Sequence, residues 1–367
     1  MKIGLYSPYI PKHFGGGEKH MLTSAWYLAQ KHDVEVLIPS NAGAEKTWQA
    51  KYESLFDLDL SRVRFVVSPL ADRTGNPLST WNITHAYDAF LYLTDGSLFL
   101  SGAKRNILHI QIPYTFAKNQ PLERLKLRSW NVKNANSQFT KKVVEKAWKT
   151  QIEYLHYPYV KIPQKTAVKK SKDIIAVGRF IPPGHASHSK GQEVLIRTFG
   201  QACEHGQLKD SALHLVGTIE PGQEAQDFVA DLRKQAKGLP IKFWHDIPQT
   251  ELEALYDKCS LFWHAAGWQI DDQAQPEKVE HFGMTTIEAM ARGCVPIVLE
   301  KGGSKEIITD GKNGFFFGNE DDLREVSEKL LRQTAMLTKA QEAARVRAQD
   351  FSLEKFCQTL DTMIGSA

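Results

Sequence analysis

A segment in the last third of the chain carries the residues best suited to bind a charged, hydroxyl-rich ligand. Glu280 and Glu288 are eight positions apart, and a helix is predicted to begin near Met284, between them. The free backbone N–H groups from Gly283 to Thr286 would then face an anion. One carboxylate on a loop and one on a helix suit two separate hydroxyl-bearing parts of a ligand better than an acid/base pair. The alternative is a helix-capping glutamate beside a solvated one.

A run of glycines near the N-terminus is the second candidate. Gly15, Gly16, Gly17 and Glu18 follow a predicted strand and precede a predicted helix, where glycines let the backbone approach a ligand closely. The run is not GxGxxG, and the second strand ends in Ile38-Pro39-Ser40 instead of an acidic ribose-binding residue. Both observations disfavour dinucleotide binding. A plain turn is the alternative.

The elements that must position these residues are strands alternating with helices. A strand at Lys2–Tyr6, a helix over 19–31 and a strand over 34–38 open a βαβ unit. Further strands are predicted at Ala89–Leu93, 107–112, 173–178, 213–216, 241–244, 260–263 and Val295–Leu299, with helices at 139–148 and Leu353–Ile364. This alternation predicts an α/β fold of two doubly wound domains that face each other across a ligand-binding cleft.

The domain boundaries follow from a stretch rich in Lys and Pro that interrupts the alternation. Residues 1–160 are predicted to form the first domain, 161–172 the linker and 173–350 the second domain. A helix in 351–367 is a candidate to pack back on the first domain. A length of 367 residues agrees with two domains of roughly 100–200 residues each.

Composition excludes several classes of protein. With 42% hydrophobic and 24% charged residues, the chain is neither disordered nor collagen-like. Its four cysteines lie far apart, without the spacing of a zinc site. The N-terminus reaches a proline before any signal-peptide core, and no apolar run approaches the roughly 18 residues of a membrane span. We therefore expect a cytoplasmic protein.

The net charge of +4 conceals a basic block. Residues 102–172 contain 16 Lys or Arg and 3 acidic residues, a local excess of +13. Such a block favours an anionic partner, whether lipid, a phosphate-bearing substrate or nucleic acid. No nucleic-acid recognition module accompanies it, so nucleic acid is not expected. An ordinary solvated basic face is the alternative.

Further motifs connect these candidates to a known family. Val177-Gly178-Arg179-Phe180 is followed by Lys190-Gly191, and Asn136-Ser137-Gln138-Phe139-Thr140-Lys141-Lys142 with Tyr157-Pro158 precedes the linker. Together with the glycine run and the E-x7-E spacing, these motifs resemble those of the retaining glycosyltransferases of family GT4. The resemblance covers most of the chain and is strongest over 173–318. It implies the GT-B architecture, two facing Rossmann-like domains with a cleft between them.

The resemblance also implies roles for individual residues. Arg179 and Lys190 would neutralise the diphosphate of a nucleotide sugar, Glu280 would hold the transferred sugar and Glu288 the ribose. His109 would be an active-site histidine, for which a satisfied core histidine is the alternative. The implied catalytic residues are Glu280, Arg179, Lys190 and His109. The implied nucleotide-sugar-binding residues are Gly16, Gly17, Arg179, Lys190, Phe282, Gly283, Met284, Thr285 and Glu288, and the implied acceptor-binding residues are Gly15, Glu18 and His109.

The implied reaction is hexose transfer with retention by a front-face mechanism that needs no metal and no cofactor. His185 and His188 lie between Arg179 and Lys190, and we interpret them as part of a polar loop because no carboxylate is near them in sequence. The nucleotide sugar is a substrate, and the N-terminal domain would bind the acceptor.

The donor is predicted from the residues at the start of the E-x7-E motif. Glu-His-Phe-Gly, preceded by Trp263-His264-Ala265-Ala266-Gly267, is similar to the form in family members that use GDP-mannose. The alternatives are a UDP-glucose or UDP-GlcNAc transferase of the same family, a non-catalytic sugar-nucleotide-binding protein of this fold, and an epimerase or phosphorylase.

The acceptor is expected to be a glycan, a glycolipid or another glycoconjugate. For a lipid-linked acceptor, the protein would sit peripherally on the inner membrane face. The cations assigned to that contact are Lys104, Arg105, Lys118, Arg124, Lys126 and Arg128, with Phe116 and Trp130 as anchors. A soluble acceptor beside an ordinary basic face is the alternative.

Overall fold

The computed structural model describes residues 1–164, 169–183 and 189–365. The chain divides into two compact units, each with its own parallel sheet. The first unit contains Met1–Tyr159 and the C-terminal residues from Leu353, and the second contains Val160–Ser352. The polar loop with His185 and His188, and residues 165–168 of the predicted linker, lie outside the described residues.

The first unit is built on a seven-stranded parallel sheet in the order β3-β2-β1-β4-β5-β6-β7. Its strands are β1 (Lys2–Tyr6), β2 (Asp33–Ile38), β3 (Arg64–Val67), β4 (Ala89–Leu93), β5 (Arg105–Ile110), β6 (Val132–Ala135) and β7 (Tyr154–Leu155). The helices between them are α1 (Gly16–Leu28), α2 (Glu45–Phe56), α3 (Pro77–His85), α4 (Pro121–Ser129) and α5 (Gln138–Trp148).

The second unit has a six-stranded parallel sheet in the order β10-β9-β8-β11-β12-β13. Its strands are β8 (Ile174–Val177), β9 (Leu213–Gly217), β10 (Ile241–His245), β11 (Leu261–His264), β12 (Val295–Leu299) and β13 (Phe315–Phe317). Its helices are α6 (Gln192–Glu204), α7 (Gln223–Gln235), α8 (Gln249–Lys258), α9 (Met284–Ala291), α10 (Ser304–Ile307), α11 (Glu320–Arg332) and α12 (Thr334–Ala348), with 3-10 turns at Pro276–Lys278 and Gln349–Phe351.

Central strands of both sheets are apolar and buried throughout, since helices cover both faces of a parallel sheet. Every residue of Ala89–Leu93 and of Val295–Leu299 is buried. The prediction of an α/β fold with two doubly wound, Rossmann-like domains is therefore confirmed.

Helix α1 begins earlier than the sequence pattern indicated. It starts at Gly16 and ends at Leu28, whereas a helix was expected over 19–31. The carboxylate of Glu18 accepts the backbone N–H of Gly15 at 2.6 Å, and this capping interaction allows a helix to begin inside the glycine run. The glycines thus form the first turn of a helix, not only the loop before it.

The elements missed from the sequence are short, polar or far from the sheet centre. Strand β6 was not among the predicted strands, because Lys133 and Asn134 interrupt its apolar pattern. Strands β3, β7 and β13 have four, two and three residues, too few for a periodic signal.

The C-terminal helix, α13 (Leu353–Ile364), packs within the first unit although the chain reaches it only after the second unit. Phe356, Leu360 and Met363 are buried in the same core cluster as Ile3 and Leu5 of β1. The hydroxyl of Tyr27 donates to Asp361 at 2.7 Å, which ties this helix to α1. The first sheet therefore has a covering helix that comes from the far end of the chain.

Within the described part of the chain, no helix combines the length and apolar character that crossing a membrane requires.

Candidate functional site

The loops that follow the strands of the second unit carry its predicted site residues. Because all six strands are parallel, their carboxyl ends lie at one edge of the sheet. The backbones after β8 and β9 come very close there: a Cβ added at Gly217 would fall 2.1 Å from the carbonyl oxygen of Gly178. Glycine is therefore required at position 217, which packs against the backbone of Gly178, the residue before Arg179.

Three side chains meet at this edge. The ammonium of Lys190 lies 2.9 Å from Oε2 of Glu280, and Nε2 of His264 lies 2.9 Å from the same oxygen. His264 is buried, and the side chains of Lys190 and Glu280 are only 16% and 15% exposed. The structure therefore brings together two of the residues implied by the resemblance and adds a histidine that was not assigned.

A pair of glycines supports the loop that carries Glu280. Gly303 donates its backbone N–H to the carbonyl oxygen of Glu280 at 2.8 Å. Gly302 has φ +55°, and a Cβ there would fall 2.1 Å from that same oxygen. Asp272 accepts the N–H of Gly302 at 3.1 Å and pairs with Lys305 at 2.9 Å. The position of the Glu280 carboxylate thus depends on a tightly packed turn.

Helix α9 begins at Met284, as predicted, with Gly283 as its N-cap at φ +116°. Glu280 lies on the preceding loop and Glu288 one turn inside the helix. The side chain of Glu288 faces Tyr256: burial, and then the Glu288 charge, raises the pKa of this phenol well above its usual value. The N–H groups at the start of the helix, from Met284 and Thr285 onward, form a site that favours an anion.

Arg179 is placed apart from the contact between Lys190 and Glu280. Its guanidinium lies 3.1 Å from Glu220, and its side chain is about half exposed. Its neighbour Phe180 is fully buried, which fixes the backbone from which Arg179 projects. Both predicted cations of the second unit are thus paired with carboxylates.

The predicted residues of the first unit also lie close together. Gln111 directly follows β5 and connects them: its amide nitrogen lies 3.0 Å from Nε2 of His109. A Cβ on Gly17 would fall 3.0 Å from the amide oxygen of Gln111. The first turn of α1, with Glu18 buried in its capping interaction, therefore packs beside His109.

His109 belongs to a chain of three buried histidines. Its Nδ1 contacts the side-chain oxygen of Asn134 on β6, and its ring stacks on His20 at 3.8 Å between centroids. Nε2 of His20 lies 3.1 Å from Nδ1 of His156, whose Nε2 donates to the carbonyl oxygen of Phe356 at 3.1 Å. This row of three histidines thus connects the edge of the first sheet with α13.

Burial keeps these imidazoles neutral. It lowers the pKa of His109 to about 4, against a smaller opposing effect of the hydrogen bond to Asn134. It lowers the pKa of His20 and of His156 well below the usual value, and repulsion from His109 adds to the shift in both. A neutral His109 can exchange hydrogen bonds with a ligand without a change of charge.

The same three histidines are the group within the described residues whose ring nitrogens could hold a metal, all within 4.8 Å of one another. Their arrangement favours the hydrogen-bonded chain instead. The rings of His20 and His109 are nearly parallel, at 16°, so their in-plane lone pairs do not converge on one point. Asn134, His156 and Phe356 also supply hydrogen-bond partners to these rings.

Several cations of the basic block have hydrogen-bond or ion-pair partners within the first unit. Lys104 pairs with Asp88, and Lys118 is buried against Glu123. Arg105 donates to the carbonyl oxygen of Met363, and Arg124 to those of Trp148 and Lys149. Trp130 is fully buried, so it is not the surface anchor that was expected. Of the proposed cations, Lys126 and Arg128 have no ion-pair partner among the described residues.

Several residues of both sites were missed from the sequence because their partners are distant in the chain. His20 and His156 are 136 residues apart, and neither has a local pattern that separates it from a core residue. His264 belonged to a motif of the resemblance but was given no role, and Gln111 was placed inside the strand predicted over 107–112, which ends at Ile110. A polar residue at the carboxyl end of a buried strand was the available signal.

The turn under Glu280 gives a first testable prediction. Gly302→Ala should destabilise the second unit by about 2–4 kcal/mol, because the positive φ and the clash with the Glu280 carbonyl add. Gly311 also has a positive φ, +71°, but nothing lies within 4 Å of an added Cβ. Gly311→Ala should therefore cost only about 1 kcal/mol. Equal losses in urea denaturation would contradict the tight packing of the turn.

The histidine chain gives a second prediction. Because the pKa values of His20, His109 and His156 are lower in the folded chain, the unfolded chain binds more protons as the pH falls below about 6.5. Stability should fall between pH 7.5 and 5.5, by roughly 1 kcal/mol for each of these histidines. Urea denaturation of the first unit at both pH values measures this loss.

The contribution of one histidine can be isolated. His109→Gln should reduce the pH-dependent loss by roughly 1 kcal/mol. His85→Gln removes an exposed imidazole of the same unit and serves as the control, which should leave the loss unchanged. A loss that is the same in all three proteins would refute the assignment of buried neutral histidines.

Comparison with known proteins identifies relatives of the second unit and of the whole fold. A family model described as glycosyl transferases group 1 matches residues 160–347. The chain is 24% identical over 241 residues to the GDP-Man:Man(3)GlcNAc(2)-PP-Dol alpha-1,2-mannosyltransferase of Dictyostelium discoideum, covering 60% of this chain and 44% of the relative. It is 36% identical over 139 residues to glycogen synthase of Chlamydia muridarum, covering 37% of this chain and 26% of the relative. The chain thus spans less than half the length of these curated relatives.

A solved structure resembles the chain over its whole length. HepE from Anabaena, in complex with UDP, superimposes with a TM-score of 0.73 at 19% identity and covers 100% of both chains. This likeness confirms the predicted fold class, two Rossmann-like α/β domains of the GT-B type. Since the family model matches half of its length, the chain belongs to the glycosyl transferases group 1 family.

Proposed function

We propose that the protein is a retaining glycosyltransferase of the GT4 type. It moves a hexose from a nucleotide sugar to a glycan, a glycolipid or another glycoconjugate. Family membership supports transfer from a nucleotide sugar in general. The residues at the carboxyl edges of the two sheets support the more specific assignment.

The observation that carries the proposal is the contact of Lys190 and His264 with one oxygen of Glu280. The contacts join a cation, a carboxylate and an imidazole at 2.9 Å, at the carboxyl edge of the second sheet. This combination suits a ligand with both phosphate and hydroxyl groups. Glu280 would accept hydrogen bonds from hydroxyls of the transferred sugar. The second carboxylate, on Glu288, would hold the ribose.

Charge neutralisation of the leaving group is the task of the cations. A diphosphate that departs from the sugar develops negative charge, which Arg179 and Lys190 stabilise together with the first N–H groups of α9. The carboxylates of Glu220 and Glu280 keep both cations in place through contacts of 3.1 Å and 2.9 Å. A bound diphosphate would take over these cations from the carboxylates.

The proposed chemistry is a front-face substitution. The bond between the anomeric carbon and the diphosphate oxygen breaks, the acceptor oxygen bonds to the same face, and the leaving phosphate oxygen takes the acceptor proton. Neither Glu280 nor Glu288 acts as nucleophile, and no metal or cofactor takes part. Positioning supplies much of the acceleration in such a reaction.

The first unit would hold the acceptor. The first turn of α1, where Gly17 packs against Gln111, lies beside the neutral imidazole of His109, which Gln111 also contacts. His109 would form a hydrogen bond with a hydroxyl close to the place where the acceptor and the transferred sugar react. Glu18 would act through its cap on α1, which sets the position of the glycines.

We propose mannose from GDP-mannose as the transferred group. The Glu-His-Phe-Gly form and the mannosyltransferase relative of Dictyostelium discoideum support this choice. A UDP-glucose donor is the second candidate, since HepE from Anabaena has been solved with UDP and with UDP-glucose. Both donors present a diphosphate to the same cations, so the base and the sugar must be distinguished by experiment.

Calorimetric titration with GDP and UDP tests the donor site. We expect GDP to bind more tightly, and Arg179→Ala to weaken that binding about 10- to 100-fold, the loss of a charge-assisted hydrogen bond. Arg197→Ala is a matched control, because Arg197 is also half exposed and paired with a carboxylate, Glu320, in the same unit. Tighter binding of UDP would favour the glucose donor. Binding of neither nucleotide would refute the donor site.

A transfer assay tests the role of Glu280. Glu280→Ala should lower GDP release from GDP-mannose by about 100-fold or more in the presence of mannosyl oligosaccharide acceptors, since a contact to the transition state is lost. Glu277→Ala, which removes an exposed carboxylate of the same loop, should leave the rate unchanged. Circular dichroism confirms folding of both variants. Release without acceptor would indicate hydrolysis and contradict transfer.

A further inference from the structure

Four polar residues lie in two cross-strand pairs on one face of the first sheet. His109 on β5 is in register with Asn134 on β6, and their side chains are in contact. Gln111 and Asn136 follow two positions later on the same two strands, where the backbone N–H of Asn136 still donates to the carbonyl oxygen of Ile110 at 3.1 Å. Side chains two residues apart lie on the same face of a strand, so the second pair continues the first to the carboxyl edge.

The orientation of the Asn134 amide follows from its neighbours. Its nitrogen donates to the carbonyl oxygen of Leu108 at 3.1 Å, and a carbonyl oxygen can only accept. The amide oxygen of Asn134 must therefore face His109, so Nδ1 of this imidazole carries the proton. Burial lowers the pKa of His109 to about 4. The ring is thus neutral, and its Nε2 is a hydrogen-bond acceptor.

This acceptor in turn orients the side chain of Gln111. The amide nitrogen of Gln111 lies 3.0 Å from Nε2 of His109, so its N–H is directed at the imidazole. The amide oxygen lies over the first turn of α1, 3.0 Å from a Cβ added at Gly17. Among the residues that the structure describes, this oxygen has no hydrogen-bond partner. Gln111 is half-buried whereas His109 is only 3% exposed, so the amide oxygen of Gln111 is the group available to a ligand.

Asn136 repeats this pattern beside Gln111. Its amide nitrogen donates to the backbone carbonyl oxygen of Gln111 at 3.2 Å, which fixes the orientation of the amide. Asn136 is only 6% exposed, and its amide oxygen finds no hydrogen-bond partner in the described part of the chain. An unpaired buried acceptor costs about 1–3 kcal/mol. Both side-chain amides thus use their N–H groups within the protein and keep their oxygens for a donor.

We propose that Gln111 contacts the acceptor glycan and that Asn136 provides a second hydrogen-bond acceptor beside it. The inference rests on the proposed function, in which the first unit holds the acceptor glycan. The two amide oxygens accept hydrogen bonds from hydroxyls of a sugar ring. An ionised phosphate or carboxylate has no hydrogen to donate to them. This edge of the sheet therefore selects a neutral, hydroxyl-bearing part of the glycan.

Asn134 and His109 are positioning residues in this arrangement. They direct the N–H of Gln111 inward and so keep its oxygen toward the ligand. The role proposed above for His109 is thereby refined, because its imidazole acts on a hydroxyl through the amide of Gln111. A hydroxyl would reach Nε2 of His109 only after the Gln111 side chain had turned away.

Calorimetric titration of the full chain tests the contact. The probes are oligosaccharides that end in mannose, glucose or N-acetylglucosamine, and GDP. Gln111→Leu should weaken oligosaccharide binding about three- to tenfold, the loss of one neutral hydrogen bond. It should leave GDP binding unchanged, since the nucleotide is assigned to the second unit. Gln120→Leu replaces an exposed glutamine of the first unit and should bind both probes as the unmodified chain does.

Nitrogen NMR of the chain with isotope-labelled histidine tests the positioning. The chemical shift of a ring nitrogen reports whether it is protonated, and His109→Gln identifies the signals of His109. At pH 7.5 the proton of His109 should be on Nδ1. In Asn134→Leu the partner of Nδ1 is lost, so the form protonated on Nε2 should appear and oligosaccharide binding should weaken as in Gln111→Leu. Circular dichroism verifies folding, and if Asn134→Leu does not fold, the unmodified chain and Gln111→Leu still decide.

Each of three outcomes would overturn the proposal. A proton on Nε2 of His109 in the unmodified chain would turn the oxygen of Gln111 inward. Unchanged oligosaccharide binding in Gln111→Leu would place the contact elsewhere. A folded chain that binds none of the oligosaccharides would refute a glycan site at this edge. Failure of the proposed function is distinguishable, since hexose transfer from GDP-mannose and UDP-glucose would then be absent while oligosaccharide binding and the position of the proton are as expected.

Discussion

Parallel strand pairing is the constraint on which both sites depend. The strands of residues 1–164, 169–183 and 189–365 form two sheets in which all pairing is parallel, so the loops that follow the strands of one sheet emerge at one edge. That geometry places Gly178, Gly217 and His264 next to one another although they are far apart in sequence. The same constraint places the start of α1 beside Gln111 in the first unit. No single loop forms a site, and each depends on the sheet beneath it.

In the second unit, the cations at the carboxyl edge of the sheet are already paired with carboxylates of the protein. Two cations that suit a diphosphate are held by two carboxylates, Glu220 and Glu280. The proposed diphosphate would have to replace these pairings, so its net gain in binding free energy would be smaller than the number of charged contacts suggests. In exchange, the cations need little reorganisation, since their positions are already defined. This arrangement favours a site whose groups are oriented before the ligand arrives.

The fold was predictable where local pattern determines structure. Strands such as Ala89–Leu93 and Val295–Leu299 were predicted to the residue, since continuous apolar runs occur where both faces of a sheet are covered. Strand β6 was missed because its polar residues are buried by distant partners, Glu153 for Lys133 and His109 for Asn134. The start of α1 was misplaced because one side-chain contact, between Glu18 and Gly15, extends the helix into the glycines.

The candidate site followed a similar division. The motifs located Lys190 and Glu280. Their contact joins residues 90 positions apart, so sequence spacing could not predict it. His264 and the histidine pair behind His109 depend on tertiary packing in the same way. The charge count of the basic block gave no indication that Lys118 is buried against Glu123, or that Lys104 pairs with Asp88 on the surface. A net charge describes composition only, and the structure is needed to show which cations have partners within the protein.

The placement of α13 has a consequence for how the chain is made. Its buried residues complete the core of the first unit, and Tyr27 meets Asp361 across 334 positions of sequence. During synthesis the first unit therefore emerges without one of its covering helices, and its apolar surface stays open while the second unit is translated. Closing this unit requires a contact of very high sequence separation, which slows folding. Helix α13, which follows the second unit in the chain, thus completes a unit whose other elements are translated before the second unit.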